Sequence, residues 1–293
     1  MEAVTWQARF DAFAARKERA ALAAELDPFA TDIERPEPAM AAIGNEWSRR
    51  LFDGPFYATD AGGRDVPATN LVFVQSREGN TIAKTPAELG GGASDLHLVY
   101  EGLSRVHADA VLAGAETARS GAIVFSTWHP ELVALRARRS LPRHPVQIIA
   151  TLRGVDFEGG MLFNLPDLRV VLLTVAPCAA IMQQALAARP WISTVVMPTA
   201  NDLREGFRAL RQMGIARVSA IGGRTLAASL INASLVDDLY LTTSAISAGQ
   251  AGTPLYPGRL EGDVIVRKHG TGADQGAIFE HMVRLRSTSS RRA

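Results

Sequence analysis

Cysteine is almost missing from this chain: its 293 residues hold only Cys178, so no disulfide can form within it and a reducing compartment is the natural setting. Long apolar runs are missing too. Nothing approaches the roughly 18 residues that a membrane-spanning helix needs. The first residues carry Glu2, Asp11 and Glu18 and no apolar signal core, so no targeting peptide is read and a cytoplasmic protein is expected. Charge of one sign is scarce, with 31 basic against 30 acidic residues and a net charge of +1. Such a balance offers no extended field for a polyphosphate backbone, and nucleic acid is not an expected partner. The Ser-rich basic stretch 284–292 reads as a solvated tail. The six histidines (97, 107, 129, 144, 269 and 281) show no metal-ligand spacing with one another or with Cys178, so no metal site is expected. Neither G-x-S-x-G nor G-x-x-x-x-G-K-[ST] occurs, which argues against a hydrolase and a P-loop protein. An inventory this sparse suits redox chemistry on a carried cofactor, which asks for few protein acids or bases.

What is present divides into two parts. Residues 1–66 read as a helical N-terminal extension: Trp6, Phe10 and Phe13 recur at helical spacing, Pro28, Pro36 and Pro38 interrupt, and a second short helix is expected over 39–52 before the turns Asp53-Gly54-Pro55 and Gly62-Gly63. This arm clasps either the main domain or a second subunit. From residue 67 the pattern alternates short apolar runs with helical segments, as an α/β domain with a mostly parallel sheet does. Strands are predicted over 71–74, 110–113, 146–150, 170–175, 194–197, 217–221 and 239–242. Between them Leu96, Val99, Leu103 and Val106 share one helical face, as do Leu203, Phe207 and Leu210, and Asp202 with Glu205 suggests a capping box. Two last runs, 264–266 and 277–285, have no helix between them and read as an antiparallel hairpin, with Gly270, Gly272 and Gly276 in its turn.

The most informative local feature is Ile221-Gly222-Gly223-Arg224-Thr225-Leu226, an apolar strand that ends in two glycines and runs at once into a helix. Paired glycines permit backbone conformations closed to other residues, and the helix that follows presents unpaired N–H groups and the positive end of its dipole. Arg224 and Thr225 add a cation and a hydroxyl, so a phosphate or pyrophosphate is the natural guest. Strand-Gly-Gly-helix corners also serve as plain tight connections. The corner is not G-x-G-x-x-G, which belongs near the first strand of a βαβ unit with an acid about 20 residues on.

Three blocks carry a resemblance. Residues 222–239, reading Gly-Gly-Arg-Thr-Leu, then Leu230-Ile231, then Leu235-Val236-Asp237-Asp238-Leu239, resemble the Gly-Gly-x-x-Leu and Leu-Val-Asp-Glu-Leu pattern of the reductase domain of the bacterial riboflavin-biosynthesis deaminase-reductase. Arg105 to Thr117, with Asp109-Ala110 and Gly114, is similar to a second pattern of that family, and Ser76 to Ala83 to a third. The loop 247–257, with Gly249, Gly252 and Leu255, also fits. The resemblance spans about residues 67–286. It implies a dihydrofolate-reductase-like fold, a mostly parallel sheet flanked by helices with a C-terminal antiparallel hairpin, here with an N-terminal helical arm. It further implies a homodimer that binds NADPH and passes hydride to a ribosylamino-pyrimidine or related imine. By motif position, Gly222, Gly223, Arg224, Thr225 and Leu226 would hold the cofactor phosphates, Thr117 would sit beside the nicotinamide half, and Thr151 near the adenosine end, with Arg153 facing a 2′-phosphate. Arg105 matches a substrate-side arginine.

The departures are as informative. After Thr117 the family reads x-x-x-Asp-Asp-Pro-x-Leu-Thr-x-Arg, whereas this chain continues Ala118 to Trp128 without the acidic pair or the distal arginine. Gly121, Trp128 and Ile221 stand at expected polar positions. Losing groups that grip a phosphoribosyl substrate while keeping the cofactor blocks implies a changed substrate. Phe125 and Trp128 either line a flatter pocket suited to a pterin or pack in the core. The first reading is thus an NADPH-dependent oxidoreductase acting on a pyrimidine, ribosylamino-pyrimidine or pterin-like heterocycle, related to 5-amino-6-(5-phosphoribosylamino)uracil reductase. A second keeps riboflavin biosynthesis itself. A third makes the chain a non-catalytic nucleotide-binding module whose arm recruits a partner. No catalytic residue is assigned by any of them.

Overall fold

Thr5 accepts a hydrogen bond from the Ala8 N–H and so starts helix α1 (Trp6–Ala23). The architecture that follows comes from a computed structural model describing residues 5–119 and 123–288; the basic tail past 288 and the Gly121 position lie outside the described residues. Helical spacing in α1 buries Phe13 and turns Trp6 and Phe10 to the same side, with the Phe13 ring 5.4 Å from that of Trp128.

The first expected helix is thus present, and the second, expected over 39–52, is shorter than expected. The chain forms β1 (Phe29–Glu34), β2 (Met40–Ile43), α2 (Glu46–Leu51) and β3 (Phe56–Thr59). Residues 40–43 are drawn into strand by pairing with β3, from Met40 opposite Thr59 to Ile43 opposite Phe56. Helix α2 therefore begins only at Asn45, whose side chain and that of Ser48 cap each other's backbone N–H. Local propensity favoured helix here, and tertiary pairing overrode it.

The main body runs β4 (Ala68–Gln75), α3 (Gly92–Ser94), a π-helical stretch Asp95–Leu103, α4 (Ser104–Val106), β5 (Ala110–Gly114), α5 (Ala115–Ala118), α6 (Pro130–Arg138), β6 (Val146–Ala150), β7 (Val170–Val175), α7 (Ala176–Ala187) and β8 (Ile192–Met197). It continues with α8 (Leu203–Gln212), β9 (Arg217–Ile221), α9 (Arg224–Asn232), β10 (Asp238–Thr243) and the long hairpin β11 (Arg259–Gly270) and β12 (Ile278–Thr288). All seven predicted strands and the hairpin are present. The π-helical stretch has a local cause at Gly102, where a Cβ would lie 2.7 Å from the His97 carbonyl oxygen. The capping box at α8 does not form: Asp202 turns back to accept from the Thr199 N–H and hydroxyl at 2.9 and 2.7 Å, and Glu205 pairs with Arg208. Among the described residues no helix is long and apolar enough to cross a membrane.

Ten strands join one sheet in the order β1-β11-β12-β10-β4-β9-β5-β6-β7-β8, parallel from β10 to β8 and antiparallel from β10 through β12 and β11 to β1. From β4 the chain steps through β5, β6, β7 and β8 in one direction, returns to lay β9 between β4 and β5, and then sets β10 on the far side of β4. Connections therefore diverge at β9, and a crevice opens above the carboxyl ends of β9 and β5. One face of the sheet, with Val72, Val111, Ile149, Leu172 and Ile221, packs against α1, α6 and Cys178 of α7. The other, with Leu71, Leu112, Ile148, Leu173 and Val218, takes Leu203, Phe207 and Leu210 of α8 and Leu230 of α9.

Candidate cofactor crevice

At the carboxyl end of β9 the backbone turns through Gly222 (φ 88°) and Gly223 (φ 80°, ψ 101°) into α9. These dihedrals demand glycine, and they aim the first turn of α9 at the crevice. Gly223 is the N-cap and supplies no side chain, so the leading N–H groups of α9 have neither an intrahelical acceptor nor a capping oxygen. Opposite them β5 ends at Gly114, which opens α5 also without a side-chain cap. The two turns face closely: a Cβ on Gly222 would stand 3.8 Å from Thr117 Oγ1, and one on Gly223 would meet nothing nearer than Leu226 Cβ at 3.8 Å.

Between them lies a cavity of about 400 Å³, within the usual range for a bound small molecule or cofactor half. Leu173, Met197 and Leu203 give it an apolar floor, and Thr117, Gly223, Thr225 and Leu226 form one wall, with Thr151, Leu152 and Arg153 opposite. The structure thus brings Thr117, Thr151, Gly223, Thr225 and Leu226 together around one space, with Gly222 at its corner. Thr151 serves partly to shape its own turn, since its hydroxyl donates to the Gly154 carbonyl at 2.8 Å and accepts from the Arg153 N–H at 3.3 Å. Arg224 is not on the wall. Its Nε donates to the Pro254 carbonyl at 2.5 Å and ties α9 to the loop before β11. Positive charge at the cavity comes from Arg153, which is exposed, and from Arg119, which also pairs with Glu116.

On the other side of α5 lie two further spaces, of about 290 and 320 Å³, that flank the loop following β6. The first is lined by Ala115, Ala118, Arg119, Asp156 and Phe163, the second by Arg119, Arg153, Phe157, Ile181 and Met182.

The two expected substrate residues, Arg105 and Phe125, are buried away from the cavity beside α9. Arg105 is 2% exposed; its guanidinium donates to the Ser126 carbonyl at 3.0 Å and lies 4.7 Å from the centre of the Tyr100 ring. Phe125 is equally buried, its N–H and carbonyl both bonded to the side chain of Gln147 at 2.8 and 3.0 Å. Trp128 belongs to the same core under α1, and Ile221 is fully buried in the sheet. The sequence around them is apolar enough for either a pocket wall or a core, and for Trp128 the Phe13 ring of α1 decides for the core.

One residue of possible chemistry was not singled out by sequence. Asp95, at the head of the π-helical stretch, lies beside the carboxyl ends of β4 and β10, bonded to the Thr242 hydroxyl and fully enclosed. Burial first, and then the charge of Asp274, push its carboxyl up to about 7. Its signal in the sequence is an acid in register with Val99, Gly102 and Val106, on the stripe of the helix that faces the core.

Residues 90–272 match the family model for the RibD C-terminal domain. The chain belongs to that family. No curated protein matches it. Among solved structures, the pyrimidine reductase-like protein of Corynebacterium diphtheriae is 20% identical with a TM-score of 0.56, over 76% of this chain and 93% of that one. The RibD of Acinetobacter baumannii is 18% identical with a TM-score of 0.57, over 76% of this chain and 59% of that one. The riboflavin biosynthesis reductase of Saccharomyces cerevisiae is 15% identical with a TM-score of 0.53, over 75% of this chain and 91% of that one. At these identities the likeness is one of fold.

Within this RibD-family domain, several motif acids prove to be structural. Asp109 accepts from the Ala216 and Arg217 N–H groups, both at 2.8 Å, and so pins β5 to β9. Asp237 accepts from the Thr69 N–H at 2.9 Å and from Arg64 at 2.6 Å, fixing β10 beside β4. Those blocks hold the strands whose ends make the crevice; the Gly-Gly block makes the crevice itself.

Proposed function

We propose that this chain is an NADPH-dependent reductase that passes hydride to a pyrimidine, ribosylamino-pyrimidine or pterin-like heterocycle, a reaction of the 5-amino-6-(5-phosphoribosylamino)uracil reductase type. The observation that carries the reading is the open corner at Gly222-Gly223, whose uncapped helix end faces a cavity at the point where the strand connections diverge. The residues suit the cofactor. The α9 N–H groups, with the Thr225 hydroxyl, hold phosphate oxygens; Arg153 and Arg119 meet further negative charge; and Gly114 and Ala115 leave backbone exposed for the flat face of a ring. When bound, NADPH supplies the hydride. The chain's part is to fix distance and angle, which for two pre-aligned reactants accounts for much of a rate. Burial of Arg105 away from the cavity, with one guanidinium N–H donating to the Ser126 carbonyl, supports a substrate other than the phosphoribosyl one.

The test is calorimetric titration with NADPH, then NADPH consumption with a ribosylaminopyrimidine and with a dihydropterin in parallel. Binding is expected in the micromolar range, with turnover of one of the two heterocycles. No heat at millimolar NADPH ends the reading; binding without turnover of any heterocycle leaves a nucleotide-binding module.

A further inference from the structure

Buried polar side-chain atoms normally find a partner, so those that have none mark a place with something still to hold. Three such atoms belong to residues around one spot. Asn70 Oδ1, His107 Nε2 and Arg217 Nε are each enclosed and make no hydrogen bond within the chain, and their residues line one void together with Thr59 and Asp238. Asn70 stands near the start of β4, Arg217 and Asp238 open β9 and β10, and His107 closes α4. The void therefore lies at the amino ends of these strands, at the opposite end of the sheet from the crevice.

Neighbouring bonds fix what each atom offers. Asn70 Nδ2 donates to the Ser104 carbonyl at 3.2 Å, so the remaining amide atom is an acceptor. Arg217 Nη2 donates to Asp60 at 3.1 Å, and its Nε keeps a hydrogen to give. His107 is 7% exposed and burial holds its imidazole neutral, so Nε2 either gives or takes. Asp238 is already engaged, accepting from the Thr59 N–H at 2.9 Å and its hydroxyl at 3.0 Å. The void measures about 10 Å³, open to the centre of one water molecule and to nothing larger. Its walls select by chemistry as well as by size. A halide there would face the Asn70 oxygen and the Asp238 carboxylate, and a metal cation would face the Arg217 guanidinium. Only a molecule that both gives and takes hydrogen bonds suits all three orphaned atoms.

We infer that this void is a binding site for a single resident water, which accepts from Arg217 Nε, donates to Asn70 Oδ1 and bonds His107 Nε2, and so ties β9, β4 and the end of α4 together beneath β3. The site owes nothing to the reductase reading and stands or falls independently of NADPH binding. A high-resolution crystal structure of the full chain should show one density peak at about 2.7–3.2 Å from each of the three atoms. A second crystal soaked in sodium bromide should show no anomalous signal at that position. In solution, the His107 ring C–H protons should give the cross-relaxation of a long-lived bound water, and Asn70→Leu, which fills the void and removes the acceptor, should abolish it. Absence of the peak, direct pairing of the three side chains with one another, or bromide at the position overturns the inference, and each of these is read from the unaltered chain whether or not the variant folds.

Discussion

Asp95 offers a sharp test of the physical account, because its enclosure has a thermodynamic consequence of known sign. The carboxyl moves from an ordinary 3.8 to about 7 in the folded chain, with burial the first cause and the Thr242 bond opposing it. A shift of about three units at 1.36 kcal/mol each is a linkage of order 4 kcal/mol. The folded state prefers the proton that the unfolded chain gives up near 3.8, so this contribution is complete below that pH. It declines as pH rises and is gone above about 7. Asp274 from the β11–β12 turn, Thr242 from β10 and Tyr100 from the same helix face the carboxyl, and none offers a cation that would hold it ionised. Four histidines run the other way: burial lowers His107 to about 3 and His144 to about 4 and lowers His97 and His129 as well, so their contributions are present above about 6.5 and lost as pH falls. The perturbation must therefore be differential. Asp95→Asn keeps the shape and an acceptor for Thr242 but cannot ionise. Thermal denaturation of both chains is expected to give similar midpoints near pH 4 and a variant that gains steadily to about pH 8, by on the order of 10 °C. Two curves that stay parallel across that range would refute the reasoning.

Other substitutions test the site and the scaffold separately. Gly223→Ala puts a Cβ on a residue with φ 80° and ψ 101°, a strain of about 1–3 kcal/mol that should appear as a loss of stability of that size in urea titration, with weaker NADPH binding in calorimetry where the corner moves to relieve it. Arg153→Ala should weaken NADPH more than NADH, since an exposed arginine at the cavity serves the extra phosphate; equal losses for the two would remove that role. Arg105→Met should lower stability by about 2–4 kcal/mol in urea titration and leave NADPH affinity unchanged, because the guanidinium serves Ser126 and Tyr100. Lys268→Met should cost about 1–3 kcal/mol and raise hydrogen exchange in β1 selectively, as Thr31 and Asp53 lose their donor.

Much of the sheet could be read from the sequence because parallel strands buried on both faces are short apolar runs with little polar interruption, as Val146–Ala150 and Val170–Val175 show. The Gly-Gly corner was legible for a related reason: a backbone conformation available to few residues leaves its mark in residue type. What the sequence hid is where local preference and long-range pairing disagree. Residues 40–43 look helical until β3 is brought beside them, and β1 becomes a strand because β11 offers it an edge. Arg105 matches a motif position and Phe125 lies where the chain departs from the family, yet both are held by partners about twenty residues further along, Ser126 and Gln147. Arg224 fits a phosphate by charge, and a single carbonyl of Pro254 redirects it. Asp95 escaped attention because one acid in an apolar helical stripe looks like noise until the stripe is seen to be enclosed.

Ala115 belongs to the linings of both the 400 Å³ cavity beside α9 and the 290 Å³ space across α5. Arg119 lines both as well, so Ala115 and Arg119 together stand on the boundary between the two spaces. A larger side chain at position 115 would intrude on both spaces at once, so one substitution there reaches the occupants of each.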